Sequence, residues 1–440
     1  MTNQDKQVFN SESTSCFFYI STNFEAFNLL MDSEKTSPIK FTSYQLFVVV
    51  LLALLQFTIV LDFVIISPLG DVLIKQLNIT TAQFGLIVSS YAFSAGLSGI
   101  LTAGFADKFD RKKLLLFFYT GFVLGTLICG IAPNYVILLL GRIVAGLFGG
   151  VIGSISLAIV TDLYQVQLRG RVMGYIQMSF AVSQVLGIPF GILLANHLGW
   201  HSTFLMIVIL SVCILLAILL KLNPVNEHLN IKQEHNALRH LWNTVSNKNY
   251  RMSFVATSTI AIGGFMLMPF SSTFMVNNVH ISYQELPLVF MLTGVSSLIM
   301  MPVMGKLSDK FDKFKMFALA SLIAIIMVLV YTNLSVVPLW VLLTVNIFLF
   351  VGIMGRSIPA TALNTGVPKM QDRGAFMSIT ASMQQMAGGI AAVIAGNIVY
   401  QQTKTSPLQH FDILGYIVSL VILLCIFLLY RVDKMLKQRS

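Results

Sequence analysis

Charge is what this chain has least of. Only 10% of its residues are Asp, Glu, Lys or Arg, against about 25% in soluble domains, and its mean hydropathy is +0.80. A surface so poor in charge faces lipid. Cysteine is also scarce. Cys16, Cys129, Cys213 and Cys425 show no metal-ligand spacing, and three of them lie in apolar runs, where a thiol packs as a small hydrophobe. The histidines, at 197, 201, 228, 235, 240, 280 and 410, fall in predicted loops or helix ends, and Gly199 interrupts the helix that a His197–His201 pair would need. No phosphate-binding glycine loop, catalytic serine arrangement or metal cluster is found. The sequence therefore points to no enzyme, no cofactor and no metal, and ATP is not the expected energy source.

What the chain has instead is long apolar runs. Spanning a bilayer takes about 20 apolar residues. Twelve runs qualify, near 44–69, 82–106, 114–132, 135–163, 170–194, 202–221, 252–276, 284–304, 315–333, 337–363, 375–400 and 412–431. The expected fold is an all-α membrane protein of twelve transmembrane helices. Residues 1–43 read as a polar N-terminal tail without the basic-then-apolar pattern of a signal peptide, and Met31 offers a second start just before the first span. Residues 222–250 read as a polar linker between bundles at 44–221 and 251–432, with a short tail at 433–440. Within the linker, 236–246 fits a surface helix with Leu238, Leu241, Trp242 and Val245 on one face; an ordinary linker fits as well.

The formal charge of +10 could suggest nucleic acid, but its distribution does not. In this topology only Lys75 and Lys404 fall outside, Arg142 and Arg356 fall within helices, and the other Lys and Arg face one side. The positive-inside bias makes that side the cytoplasm, with both termini there. The expected location is the plasma (inner) membrane, multi-pass.

Two dense charge knots organise the runs. Asp107-Lys-Phe-Asp-Arg-Lys-Lys113 returns as Asp309-Lys-Phe-Asp-Lys-Phe-Lys315, and Arg169-Gly170-x-x-Met173 returns as Arg373-Gly374-x-x-Met377. A charge at the bilayer centre costs at least about 2.5–3.5 kcal/mol, so each knot is an aqueous turn. Two echoes at nearly one separation indicate a duplicated unit. The knots resemble the Gly-x-Leu-Ala-Asp-Arg-x-Gly-Arg-Lys loop of the major facilitator superfamily, which follows the second helix and recurs after the eighth. Asp107, Arg111 and Lys112 match in the first copy; Gly305, Leu307, Asp309, Lys310 and Lys313 match in the second. Ala103 stands where the first glycine is usual, and Asp110 and Asp312 replace the second. The resemblance implies two six-helix pseudo-symmetric halves that rock about a midplane site. Asp107, Arg111, Lys112, Asp309, Lys310 and Lys313 would then latch the inward-closed state.

Ionisable groups inside the apolar runs are the informative ones, because burying them is costly. Asp62 and Arg142 lie at similar depth, roughly 10 Å below the outer surface at 1.5 Å per residue, so a pair is possible. Three readings of Asp62 stand: a proton carrier, a static partner of Arg142, or a solvated helix-end residue. Arg142 and Gly146 resemble the family's Arg-x-x-x-Gly pattern, associated there with proton coupling, although Ala145 replaces the usual glutamine. Gly187, Pro189 and Gly191 predict a bend in the fifth helix and resemble, without the full form, the glycine–proline motif of antiporters. Arg356, in the tenth helix, could bind an anionic or polar substrate, or balance a carboxylate. Polar stripes at helical spacing (Tyr91, Ser94, Ser98 and Thr102; Gln177 and Gln184; Ser378, Ser382 and Gln385) could face a cavity or act as helix–helix glue. The substrate-binding candidates are Tyr91, Gln177, Gln184, Arg356 and Gln385.

The resemblance implies a secondary transporter of the drug and sugar efflux branch: a proton-coupled exporter of small organic molecules, acting as a monomer in the bilayer. A proton symporter or uniporter for a nutrient is the alternative. A transporter-like sensor lacks an output domain, and a membrane enzyme lacks a catalytic cluster.

Overall fold

In hydrocarbon a chain must satisfy its own backbone N–H and C=O groups, and helices do so within one segment. The computed structural model describes residues 41–102, 109–226, 229, 237–369 and 372–438. These residues form helices and no strand; Tyr400 and Gln409 make one isolated antiparallel bridge. Met31 and the tail before residue 41, Asp107, and much of the linker lie outside the described residues, as does the side chain of Asp309.

The first six spans are Ser43–Ile65, Thr81–Thr102, Arg111–Gly130, Tyr135–Leu163, a broken fifth from Val166 to Leu198, and Trp200–Lys221. The second six are a broken seventh from Lys248 to Asn277, then Leu286–Lys310, Lys313–Thr332, Leu339–Thr365, Arg373–Ile398 and Phe411–Lys437. Among the described residues, eleven helical segments are long and apolar enough to cross a membrane. The remaining long helix, Arg373–Ile398, falls short in composition because Gln384, Gln385 and several glycines dilute its apolar residues. The first span ends earlier than the sequence suggested, at Ile65 rather than 69. Pro68 lacks a backbone N–H and disfavours a helical residue before it. A second short helix, Gly70–Gln76, follows.

The described residues from Phe47 onward form one compact unit. Within it the halves meet along the second span against the eleventh and the fifth against the eighth. Close approach depends on missing side chains. A Cβ on Gly85 would lie 2.7 Å from the Ala392 carbonyl, and one on Gly294 2.9 Å from the Gln184 backbone.

At the end where the charge knots lie, called here the basic end, the two aspartates that replace glycine are helix N-caps. Asp110 accepts from the Lys112 and Lys113 amides at 2.7 and 3.4 Å and caps the third span. Asp312 accepts from the Lys315 amide at 2.9 Å and caps the ninth. A carboxylate here satisfies amides that the helix leaves unpaired, and it opposes the positive end of the helix dipole. In the linker, Ala237–Ser246 forms a helix, Leu241 packs on the C-terminal half, and Trp242 stays 72% exposed.

Candidate functional site

Asp62 and Arg142 meet. Arg142 Nη1 lies 2.9 Å from Asp62 Oδ2 and 3.0 Å from the Asp62 carbonyl, and both side chains are 0% exposed. The Thr126 hydroxyl donates to Asp62 Oδ1 at 3.2 Å. The guanidinium lies over the Tyr91 ring, 4.4 Å from its centroid, a cation–π arrangement. Gly146 lets the fourth span close on the second: a Cβ there would collide with Ser94 and the Tyr91 backbone. Arg142 Nε and Nη2 have no hydrogen-bond partner. The reading of Asp62 as a solvated helix end is therefore overturned; even three residues from the helix end, neighbouring spans enclose it.

Where the sequence predicts a bend, the fifth span has a π turn at Ser183–Gly187, after which the helix resumes at Ile188 with Pro189 in its first turn. One extra residue per turn displaces the helix locally. A Cβ on Gly187 would strike Leu61, and one on Gly191 would strike Ile65 and Thr203. Thr203 donates to the Gly191 carbonyl at 2.7 Å. The irregular turn thus packs on the first span beside Asp62.

The polar stripes divide. Ser94 and Ser98 donate to carbonyls of their own helix, those of Tyr91 and Ala95. Ser382 packs where Gly99 has no side chain. These act as helix contacts. Tyr91 is enclosed beneath Arg142, Gln177 is exposed, and Gln184 and Gln385 are half-buried. Of the proposed latch residues, Arg111 reaches Asp162 at 3.3 Å, Lys112 donates to the Leu219 carbonyl at 3.0 Å, and Lys310 and Lys313 are exposed.

At the opposite, far end, which sequence reasoning passed over, hydrogen bonds between the halves gather. Ser67 donates to the Met268 carbonyl, and Ser272 returns a bond of 2.8 Å to the Ser67 carbonyl. Asp71, 1% exposed, pairs with Lys75 at 2.8 Å and accepts from Asn277 and Tyr283 of the other half. Lys75 also reaches Asn277 at 3.1 Å and the Tyr283 hydroxyl at 3.0 Å. Burial and the bond to Asp71 push the Tyr283 hydroxyl well above its usual range. Lys404 donates to the Ile79 carbonyl and Thr81 to the Val399 carbonyl. Two signals could have flagged this network: the i,i+4 spacing of Asp71 and Lys75, and the near-repeat separation of Ser67 from Ser272.

Arg356 is different again. Its side chain is 1% exposed, Nε and Nη1 have no hydrogen-bond partner, and no ion pair among the described residues includes it. The described residues hold no group of His, Cys, Asp and Glu that could bind a metal ion.

Comparison with known proteins follows this architecture. YceJ of Bacillus subtilis (strain 168), described as an uncharacterized MFS-type transporter, is 25% identical over 393 residues, 88% of this chain and 96% of that one. A probable sugar efflux transporter of Helicobacter pylori (strain HPAG1) is 28% identical over 170 residues, 39% of this chain and 43% of that one. Among solved structures, a bacterial homolog of the human lysosomal transporter Spinster matches with a TM-score of 0.72 at 14% identity, covering 91% of this chain and 99% of that one. A D-xylose-proton symporter matches with a TM-score of 0.72 at 17% identity, covering 88% and 98%. At such identities these two show the fold. The family model of the Major Facilitator Superfamily matches residues 52–393, and the chain belongs to that superfamily of transporters.

Proposed function

We propose that this transporter is a proton-coupled exporter of small organic molecules that works by alternating access, with Asp62 as the proton carrier and Arg142 as its partner. The observation that carries the reading is the fully buried Asp62–Arg142 pair. A carboxylate in that position is stable as an anion only while the guanidinium faces it. Adding a proton to Asp62 gives a neutral acid and frees Arg142, whose Nε and Nη2 have no other partner. The energy balance of the first, third and fourth spans then changes, and the π turn packed on Leu61 and Ile65 gives the fifth span room to adjust. The probable sugar efflux transporters among the relatives support export of small molecules.

In this reading the basic end faces the cytoplasm of a plasma (inner) membrane, both chain termini lie there, and a monomer suffices. The bonded far end is the closed outer gate. The knots, with Asp107, Arg111, Lys112, Asp309, Lys310 and Lys313, close the inner side in the opposite state. The bundles at 44–221 and 251–432 rock as units, and Gln177, Gln184 and Gln385 contribute polar contacts to substrate.

The test is substrate flux in proteoliposomes under an imposed pH gradient. The native protein drives substrate against the proton flow, whereas Asp62→Asn folds and loses coupled flux. Undiminished proton-driven flux in Asp62→Asn refutes the assignment, and flux in the same direction as the protons makes the protein a symporter.

A further inference from the structure

The two halves treat their buried arginines differently. In the first half Arg142 has a carboxylate of its own, Asp62. At the separation that relates Arg169 to Arg373, Arg142 corresponds to Asn346, a neutral residue whose Nδ2 donates to the Thr293 hydroxyl at 3.4 Å. The second half places its buried cation elsewhere, at Arg356, and gives it no counter-ion among the described residues. The tenth span begins at Leu339 at the far end, so at 1.5 Å per residue Arg356 lies roughly 25 Å down it, past the middle of a hydrocarbon core about 30 Å thick and towards the basic end.

Its surroundings are apolar. The guanidinium reaches towards the seam of the seventh and twelfth spans, where a Cβ on Gly263 would stand 3.5 Å from Nη2 and the same distance from Val421. The titratable group acting on it is the Cys425 thiol, a neutral neighbour. No hydrogen bond or ion pair among the described residues offsets the charge. An arginine in this position is a vacant anion receptor: a planar fork of donors, two of its nitrogens unused, in a medium that strengthens any charge-assisted bond it makes. The seventh span is also bare beside it. Gly263 and Gly264 are adjacent, and a Cβ on Gly264 would meet nothing within 4 Å. Neighbouring helix positions point about 100° apart, so this open space flanks the face that the guanidinium meets.

We infer that Arg356 is the binding group for an acidic substrate, a small organic acid whose carboxylate takes the place of the missing counter-ion. This deepens the exporter reading and rests on it. The N-terminal half would hold the proton at Asp62 and the C-terminal half the anion, each on its own arginine.

The experiment is thermal unfolding of the purified full-length protein with benzoate beside benzamide, and glucuronate beside glucose. Within each pair the shapes are similar and only one member is charged. The expected result is that at least one acid raises the unfolding midpoint while its neutral counterpart does not. In Arg356→Met that shift is lost and the unliganded midpoint stays equal or rises, because an uncompensated buried charge has been removed. Arg356→Lys keeps the charge without the fork, so the shift shrinks but survives; it carries the test should Arg356→Met fail to fold. Asp62→Asn keeps the acid's shift, which separates failure of this site from failure of the coupling. The inference is overturned if neither acid shifts the native protein, if the neutral compounds shift it equally, or if the Arg356 variants leave the shift unchanged. Where Arg356→Met folds with a lower unliganded midpoint the arginine is structural, and where it does not fold an acid shift in Arg356→Lys equal to the native one overturns the inference as well.

Discussion

A double-mutant cycle on Asp62 and Arg142 tests the energetics of the buried pair. At 2.9 Å and an effective dielectric constant of 20, two unit charges attract by about 6 kcal/mol. Desolvation offsets part of this, so removing one partner of such a pair costs about 3–5 kcal/mol, mostly through the charge left behind. Arg142→Met alone strands the Asp62 carboxylate, which keeps only the 3.2 Å bond from Thr126. Asp62→Leu alone strands a guanidinium whose remaining bond is to the Asp62 backbone carbonyl at 3.0 Å. The double variant, Asp62→Leu with Arg142→Met, strands neither and should recover most of the loss. The coupling energy is expected at about 3 kcal/mol or more, read as thermal or denaturant midpoints of the purified protein. Independent sites add within about 0.5 kcal/mol. Single losses that simply add in the double variant would refute the pairing argument, and with it the release of Arg142 on protonation.

Tyr283→Phe removes the hydroxyl that joins Lys75 and Asp71 across the halves; labelling of a cysteine placed at Ser67 from the far side should rise, and unchanged labelling would remove the network from the gate. Asp312→Ala should lower stability at neutral pH by about 1 kcal/mol, the usual worth of an N-cap. The Lys315 amide, then Lys437, holds the Asp312 pKa below the usual value of 3.8. That contribution is present above the unfolded pKa and is lost as pH falls through the lowered folded one, so the gap between native and variant midpoints should close below about pH 4. Gly146→Ala forces a methyl group against Ser94 and the Tyr91 backbone and should cost about 1–3 kcal/mol; a midpoint equal to the native one would show that the second and fourth spans are not in close contact.

The sequence by itself determined the class of molecule and its repeat. Scarce charge and twelve apolar runs leave no other solvent than lipid, and two like charge knots between runs imply duplication, because both follow from local composition. It also picked out Asp62, Arg142 and Arg356, since an ionisable residue amid apolar neighbours is visible without any fold. An irregularity in the fifth span was legible too, from Gly187, Pro189 and Gly191, although its form as a π turn depends on how the helix packs against Leu61 and Ile65. Only the tertiary structure decided which charges are paired. Asp62 and Arg142 are on different spans, and whether they meet depends on helix rotation and on the space left by Gly146, neither of which is written in spacing. The same holds for the far-end network, whose Asp71, Asn277 and Tyr283 look like ordinary loop and helix-end residues until the two halves bring them together. Arg356 is the sharpest case: its sequence shows a buried cation, but that no described carboxylate reaches it is a property of three-dimensional arrangement alone.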